Sequence, residues 1–192
     1  MNSGTPPSPV RAALEIASYL EARGVPYVII GGLAVQHWGE PRATRDVDVT
    51  VMVSAESVDA FLEEVTRRFR PRIADAVDFA RRSRVLLLQS SEGVPIDLSL
   101  GVPGYEEEVM RRAVTVTWPG GKSIRLVGCE DLIIHKCVAG RARDLEDVRS
   151  ILRRQQGRVD LEYIRLWLKE FAELVPEHDV LRAFEDSLSS LE

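Results

Sequence analysis

Apolar residues recur at helical spacing from Val10. The stretch VRAALEIASYLEARG puts Leu14, Ile16, Ala17 and Leu20 on one side of a helix that stops at Gly24. PYVIIGG follows, a short apolar run closed by two glycines, which reads as a buried strand and a tight turn. LAVQHWG predicts a short helix closed by Gly39, and Glu40 to Arg45 a polar loop. DVDVTVMV alternates and is rich in valine, the pattern of a strand. Ser54 is a good N-cap for a helix over AESVDAFLEEVTRRF. RVLLLQ and VPIDLSL predict an antiparallel pair joined by SSEG, and Pro95 places the start of the second strand at or near a sheet edge. Tyr105 to Arg112 reads as a helix, and AVTVTW and SIRLV flank PGGK as a second hairpin. From Glu130 the pattern is helical throughout: EDLIIHKCVAG, ARDLEDVRSILRRQ, LEYIRLWLKEFAEL and VLRAFEDSL.

Strands and helices therefore mix up to about residue 128, and helices alone follow. This predicts an α+β fold, with a mixed β-sheet core flanked by helices over 10–128, a helical C-terminal subdomain over 129–192 and a flexible Pro-rich tail over 1–9. Composition agrees: 45% hydrophobic and 29% charged residues in 192 describe a globular chain that can bury a real core. A net charge of -5 argues against a dedicated duplex-DNA binder but not against a local basic groove. No apolar run approaches the roughly 20 residues that span a bilayer. The start, MNSGTPPSP, lacks the layout of a signal peptide, so a cytoplasmic protein without a membrane partner is expected. Cys129 and Cys137 form no CxxC pair and read as plain buried or half-buried thiols. Lysines stand only at 122, 136 and 169, which draws notice to Lys136 inside an apolar helix.

The sharpest chemistry lies in one segment: Gly31-Gly32, then Arg42-Ala-Thr44-Arg45-Asp46-Val47-Asp48. Residues two apart in a strand share a face, so Asp46 and Asp48 project together while Val47 and Val49 point into the core. Two carboxylates on one face repel unless a cation sits between them, and Mg²⁺ is the natural counterion. Asp97, in the apolar strand VPIDLSL, is the candidate third carboxylate, because a lone charge there is costly to bury. Three such groups suit a two-metal site of the kind that drives phosphoryl or nucleotidyl transfer, with one of them serving as base for the incoming hydroxyl. A glycine turn between strand and helix lets backbone N–H groups approach a phosphate.

This constellation resembles the nucleotidyltransferase superfamily, of the DNA polymerase β-like fold, whose signature is Gly-Gly or Gly-Ser, a spacer, an acidic pair one residue apart, and a later carboxylate on a neighbouring strand. The form GG…RATRDVDV is similar to the AbiEii-type toxins of type IV toxin–antitoxin systems. Their later motifs, a helix lysine and then Arg-x-Lys-Asp-x-x-Asp, are matched by Lys136 and by Arg141-Ala-Arg143-Asp144-Leu-Glu-Asp147. Arginine at 143 stands where a lysine is usual, which keeps the charge but not the geometry. The resemblance covers roughly residues 28–152 and implies a nucleotidyltransferase-like core. It implies transfer of a nucleoside monophosphate from an NTP, with Asp46, Asp48 and Asp97 holding Mg²⁺ and one of them acting as base. Gly31 and Gly32 would cradle the triphosphate, with Arg42 and Thr44 near the nucleotide. Lys136 would reach a phosphate, and Asp144 or Asp147 would orient it or help place the acceptor. The implied acceptor is an RNA, the 3′ end of tRNA, and the implied protein partner a cognate antitoxin.

Plainer readings stand beside these. Asp46 and Asp48 also suit an Asx turn with an exposed carboxylate, and Asp97 a solvent-facing edge position. Lys136 can snorkel from a helix end. Asp144 and Asp147 can simply pair with Arg141, Arg143 or Arg149 at helical spacing. His37, His135 and His178 are isolated and read as structural. Two arginine runs, Arg67 to Arg84 and Arg141 to Arg158, suit either an RNA backbone track or a solvated face with ion pairs. Three other functions remain open: a nucleotidyltransferase acting on a small molecule such as an aminoglycoside, one acting on a protein hydroxyl, or a catalytically silent nucleotide-binding module.

Overall fold

The computed structural model describes residues 8–118, 121–176 and 178–191. The chain divides into two compact units: the first runs to Leu33 and takes in Ala43–Val127, the second comprises Ala34–Arg42 and Gly128–Glu192.

The first unit is built on one sheet. Its strands are β1 (Tyr27–Ile30), β2 (Val47–Val51), β3 (Arg70–Pro71), β4 (Val85–Gln89), β5 (Pro95–Leu100), β6 (Val114–Thr117) and β7 (Ser123–Leu126), in the order β3-β4-β5-β2-β1-β7-β6. The sheet is mixed. β2 runs parallel to β5, and β1 parallel to β7; the other neighbours are antiparallel. Both predicted hairpins form, β4–β5 and β6–β7. In the second, Pro119 and Gly120 of the connecting turn lie outside the described residues, as do residues 1–7 of the predicted tail. Period-2 alternation supplies the core: Val47, Val49, Leu86, Leu88, Ile96 and Leu98 are fully buried on one face. Helix α1 (Pro9–Glu21) touches β1, β2 and β7 and buries Ala13, Ile16 and Leu20. Each such aliphatic side chain contributes about 1.5–3 kcal/mol, so Ile16→Asp, a lone carboxylate among them, would break this packing.

Four features differ from the sequence reading. Pro95 does not mark an edge, because β5 lies between β4 and β2. It is the first residue of its strand, facing Gln89, where a missing N–H interrupts little of the ladder. Gly31 and Gly32 do not make a separate turn; they are the first two residues of helix α2 (Gly31–Trp38), with Gly31 at φ 62°. Ser54 precedes a 3-10 turn, Ala55–Ser57, without a side-chain cap, and helix α3 starts only at Val58, running to Arg68. Residues 70–83, for which the pattern predicts no element, form β3 and helix α4 (Ala76–Ser83); helix α5 (Tyr105–Arg112) is as predicted.

The second unit is helical. α6 (Cys129–Ala139) touches α7 (Ala142–Arg154), α8 (Leu161–Leu174) and α9 (Val180–Ser189). α6 is buried along most of its length, which suits a helix surrounded by others: Leu132, Ile133, Ile134 and Cys137 are all buried, and Asp131 and Lys136 with them. Gly140, at φ 63°, ends it with its N–H on the Lys136 carbonyl. Cys129 and Cys137 are unbridged and buried, and burial pushes both thiols up to about 12. Among the described residues no helix is long and apolar enough to cross a membrane.

Candidate active site

The strand order decides which carboxylates meet. β2 and β5 are parallel neighbours in a register that sets Asp48 directly beside Asp97. On the far side of β2, Asp48 faces Ile30, the residue before Gly31. On the far side of β5, Asp97 faces Leu87, whose carbonyl accepts the N–H of Arg72. One row across four strands therefore carries Ile30, Asp48, Asp97, Leu87 and, beyond it, Arg72. Directly paired residues share a face, so both carboxylates stand on the same side of the sheet. The opposite side is filled by Val47, Val49, Ile96 and Leu98.

Asp46 is exposed just ahead of β2. The Thr44 hydroxyl donates to its Oδ1 at 2.9 Å. Burial raises the Asp97 carboxyl above its ordinary 3.8; the charge of Asp46 pushes the same way, and the guanidinium of Arg72 opposes both. Asp46 is thus within electrostatic reach of Asp97.

The glycines explain why this corner can be so crowded. A Cβ on Gly31 would lie 2.7 Å from Asp48 Cγ and overlap the carboxylate itself; one on Gly32 would lie 2.7 Å from Thr44 Cβ. The pair is small because Asp48 and Thr44 fill the space a side chain would take, and Gly31 also holds a left-handed φ. The start of α2 is thereby brought against the acidic strand.

Among the described residues, no three acidic, imidazole or thiol side chains are gathered as a metal-holding group. The Asp97 carboxylate is taken by an ion pair with Arg72. The donor chemistry still suits a divalent cation: Asp48 and Asp97 are held side by side by strand register, and Asp46 stands within reach of Asp97. Arg72 is the residue that sequence reasoning missed. It lay unremarked in an arginine run, and its contact crosses an intervening strand, so no local pattern could single it out.

The second motif forms a cluster inside the second unit. Lys136, on α6, is nearly buried and sends its ammonium to Asp144 Oδ1 at 2.7 Å and Asp147 Oδ2 at 2.9 Å, both on α7. Arg42 grips Asp147 with two parallel bonds, Nε to Oδ1 at 2.7 Å and Nη2 to Oδ2 at 2.8 Å. Arg141 pairs with Asp144. Burial works to raise both carboxyls, but hydrogen bonds from Arg141 and Lys136 to Asp144, and from Arg42 and Lys136 to Asp147, hold both below their ordinary value. More of α7 grips the segment leading to Arg42: the Glu40 N–H reaches Ser150 Oγ at 2.6 Å, Gln155 donates to the Trp38 carbonyl at 2.8 Å, and Arg154 to that of Gly39. Gln36, from α2, bonds the Arg42 carbonyl at 2.7 Å.

The arginine runs are largely committed to local partners. Arg67, Arg68, Arg81 and Arg82 pair with Glu63, Glu15, Asp59 with Asp78, and Asp75. Arg84 donates to the carbonyls of Leu100 and Gly101. In the second run Arg153 pairs with Glu40, while Arg143 and Arg158 are exposed. Of the histidines, His135 is half-buried and desolvation lowers its pKa, and His178 bonds the Val138 carbonyl at 2.8 Å.

Comparison with known proteins places this geometry. Residues 10–185 match a family model described as nucleotidyl transferase of unknown function (DUF2204). No curated protein matches the chain by sequence. Solved structures of similar fold include an antigenic nucleotidyltransferase-like protein from Paracoccidioides brasiliensis, 16% identical with a TM-score of 0.51, covering 89% of this chain and 90% of that one. Another is the antibiotic-resistance factor ANT(2'')-Ia, 16% identical with a TM-score of 0.53, covering 88% of this chain and 96% of that one. At such identities the likeness is one of fold.

Proposed function

The chain belongs to this nucleotidyl transferase family, and from that premise we propose that it moves a nucleoside monophosphate from an NTP to the 3′ end of an RNA, tRNA first among them, as an AbiEii-type toxin with a cognate antitoxin as partner. The observation that carries the chemistry is the row in which Asp48 lies in register with Asp97, with Asp46 in electrostatic reach and the Gly31-Gly32 helix start packed against it.

Asp46, Asp48 and Asp97 would hold Mg²⁺, which when bound neutralises charge on the phosphates and on the attacking oxygen. Thr44 steadies Asp46 through its hydroxyl. One of the three carboxylates would also take the proton from the acceptor hydroxyl. The backbone N–H groups at the start of α2, Gly31 and Gly32, favour the negative triphosphate. Arg42 is held by Asp147, and Asp147 by Lys136, in an ion cluster that orders the second unit. Lys136 and Asp144, which the resemblance would have reach and orient a phosphate, are joined to each other inside the second unit.

A second reading, transfer to a small-molecule hydroxyl, has its own support. Its fold is that of an antibiotic-resistance factor almost along that protein's whole length, and much of its arginine content is already ion-paired rather than free for an RNA backbone.

The test is to incubate the protein with each labelled NTP and Mg²⁺, supplying total tRNA in one series and an aminoglycoside panel in another. Asp48→Asn serves as the control. Label on tRNA that disappears with Asp48→Asn supports the first reading, and label on the small molecule the second. No transfer and no pyrophosphate release with any NTP or acceptor would defeat both.

A further inference from the structure

The row that carries the candidate metal carboxylates ends in a cation of the protein's own. Arg72 follows β3, is anchored through its backbone N–H to the Leu87 carbonyl, and sends its guanidinium across β4 to the Asp97 carboxylate. The pair is neither buried nor fully solvated: the side chains are 29% and 36% exposed. Strands lie about 4.8 Å apart, so an arginine two strands away spans the gap only when extended over the intervening residue, here Leu87. That is a specific placement, unlike the helix-surface pairs of Arg67, Arg81 and Arg82.

We propose that Arg72 is a positioning residue that occupies Asp97 in place of a divalent cation and has to release it before a metal can use that carboxylate. The inference rests on the reading of Asp46, Asp48 and Asp97 as metal ligands. Asp48 and Asp97, side by side on one sheet face with Asp46 in electrostatic reach, need a countercharge, and Arg72 supplies one at Asp97. A guanidinium and a divalent cation compete at the same oxygen, because the Asp97 Oδ1 lone pair that accepts from Arg72 Nη2 is not open to a metal. Metal affinity is then reduced by the fraction of molecules in which Asp97 is released. If release occurs about one time in ten, the apparent affinity is about tenfold weaker than the bare carboxylates would give. The arrangement keeps the acidic face neutralised and ordered in the absence of metal, and it ties full assembly of the site to a side-chain displacement at the edge of the sheet.

The test uses Mn²⁺ alone, without nucleotide, titrated into the full chain and followed by loss of the free-ion electron paramagnetic resonance signal. Arg72→Gln is expected to bind Mn²⁺ about tenfold tighter than the wild type, and Arg72→Lys, which keeps the charge on a shorter and differently shaped donor, to fall between them. In an Asp97→Asn background the same Arg72→Gln change is expected to leave Mn²⁺ affinity unchanged, because there is no carboxylate left to compete for. A general field effect of one removed charge would instead persist in that background and would overturn the proposal. So would a folded Arg72→Gln protein, checked by circular dichroism, that binds Mn²⁺ no more tightly than wild type. Should Arg72→Gln fail to fold, Arg72→Lys carries the same comparison. Equal Mn²⁺ affinity in wild type and Asp48→Asn overturns the metal-ligand reading itself, and with it this one, an outcome distinct from a change at Asp48 without one at Arg72.

Discussion

Gly31→Ala is the most discriminating single change, because a matched control exists in the same unit. Gly31 and Gly24 have nearly the same backbone, φ 62° and 64°. They differ in what a methyl would meet: nothing within 4 Å at Gly24, the Asp48 carboxylate with its Cγ at 2.7 Å for Gly31. Both substitutions incur the left-handed penalty of about 1–2 kcal/mol. Both recover about 0.4–1 kcal/mol from a less free unfolded chain. These contributions cancel in the comparison, leaving the steric displacement of Asp48, which at the usual scale of overpacking costs about 1–3 kcal/mol. For a chain of this size each kcal/mol moves the melting temperature by about 2–4 °C, so a 2 kcal/mol displacement predicts Gly31→Ala melting about 4–8 °C below Gly24→Ala. Thermal unfolding followed by circular dichroism reads this directly. Nucleotidyl transfer is expected to fall with Gly31→Ala and to stay near wild type with Gly24→Ala. Equal melting temperatures for the two variants would refute the idea that the first glycine exists to seat Asp48.

The remaining predictions concern the second unit. Lys136→Met leaves two nearly buried carboxylates without their shared ammonium and is expected to cost about 3 kcal/mol in urea unfolding. The exposed Lys169→Met should be nearly silent, and equal effects from the two would sink the claim. Stability should also show an acid limb that belongs to this cluster. Asp144 and Asp147 are held below their ordinary 3.8, so their stabilisation is full above that value. It is lost as pH falls from about there through the lower folded-state values, where the native state has to take up protons against its ion pairs. Melting temperatures measured from pH 5 to pH 2 should fall less steeply in an Asp144→Asn, Asp147→Asn double variant than in the wild type, and parallel curves would count against the assignment.

Much of this protein is settled by local pattern. Val47 and Val49 alternate with Asp48 because a strand repeats every two residues, so the inward and outward faces of β2 follow from its letters alone. That α7 carries Asp144 and Asp147 on one face, three residues apart, follows in the same way from a repeat of 3.6. The Gly-Gly and the acidic pair were legible as chemistry, since both are short motifs on one stretch of chain. What only the tertiary structure decided is who stands beside whom. Pro95 suggested an edge, yet β5 is interior, and that position is what sets Asp97 beside Asp48. Arg42 meets Asp147, and Arg72 meets Asp97, across long separations in sequence. Periodicity is a property of neighbouring residues and survives in any fold that uses the segment. Strand order and ion-pair partners are chosen by how distant segments pack, and those choices leave no mark on the local pattern of either segment.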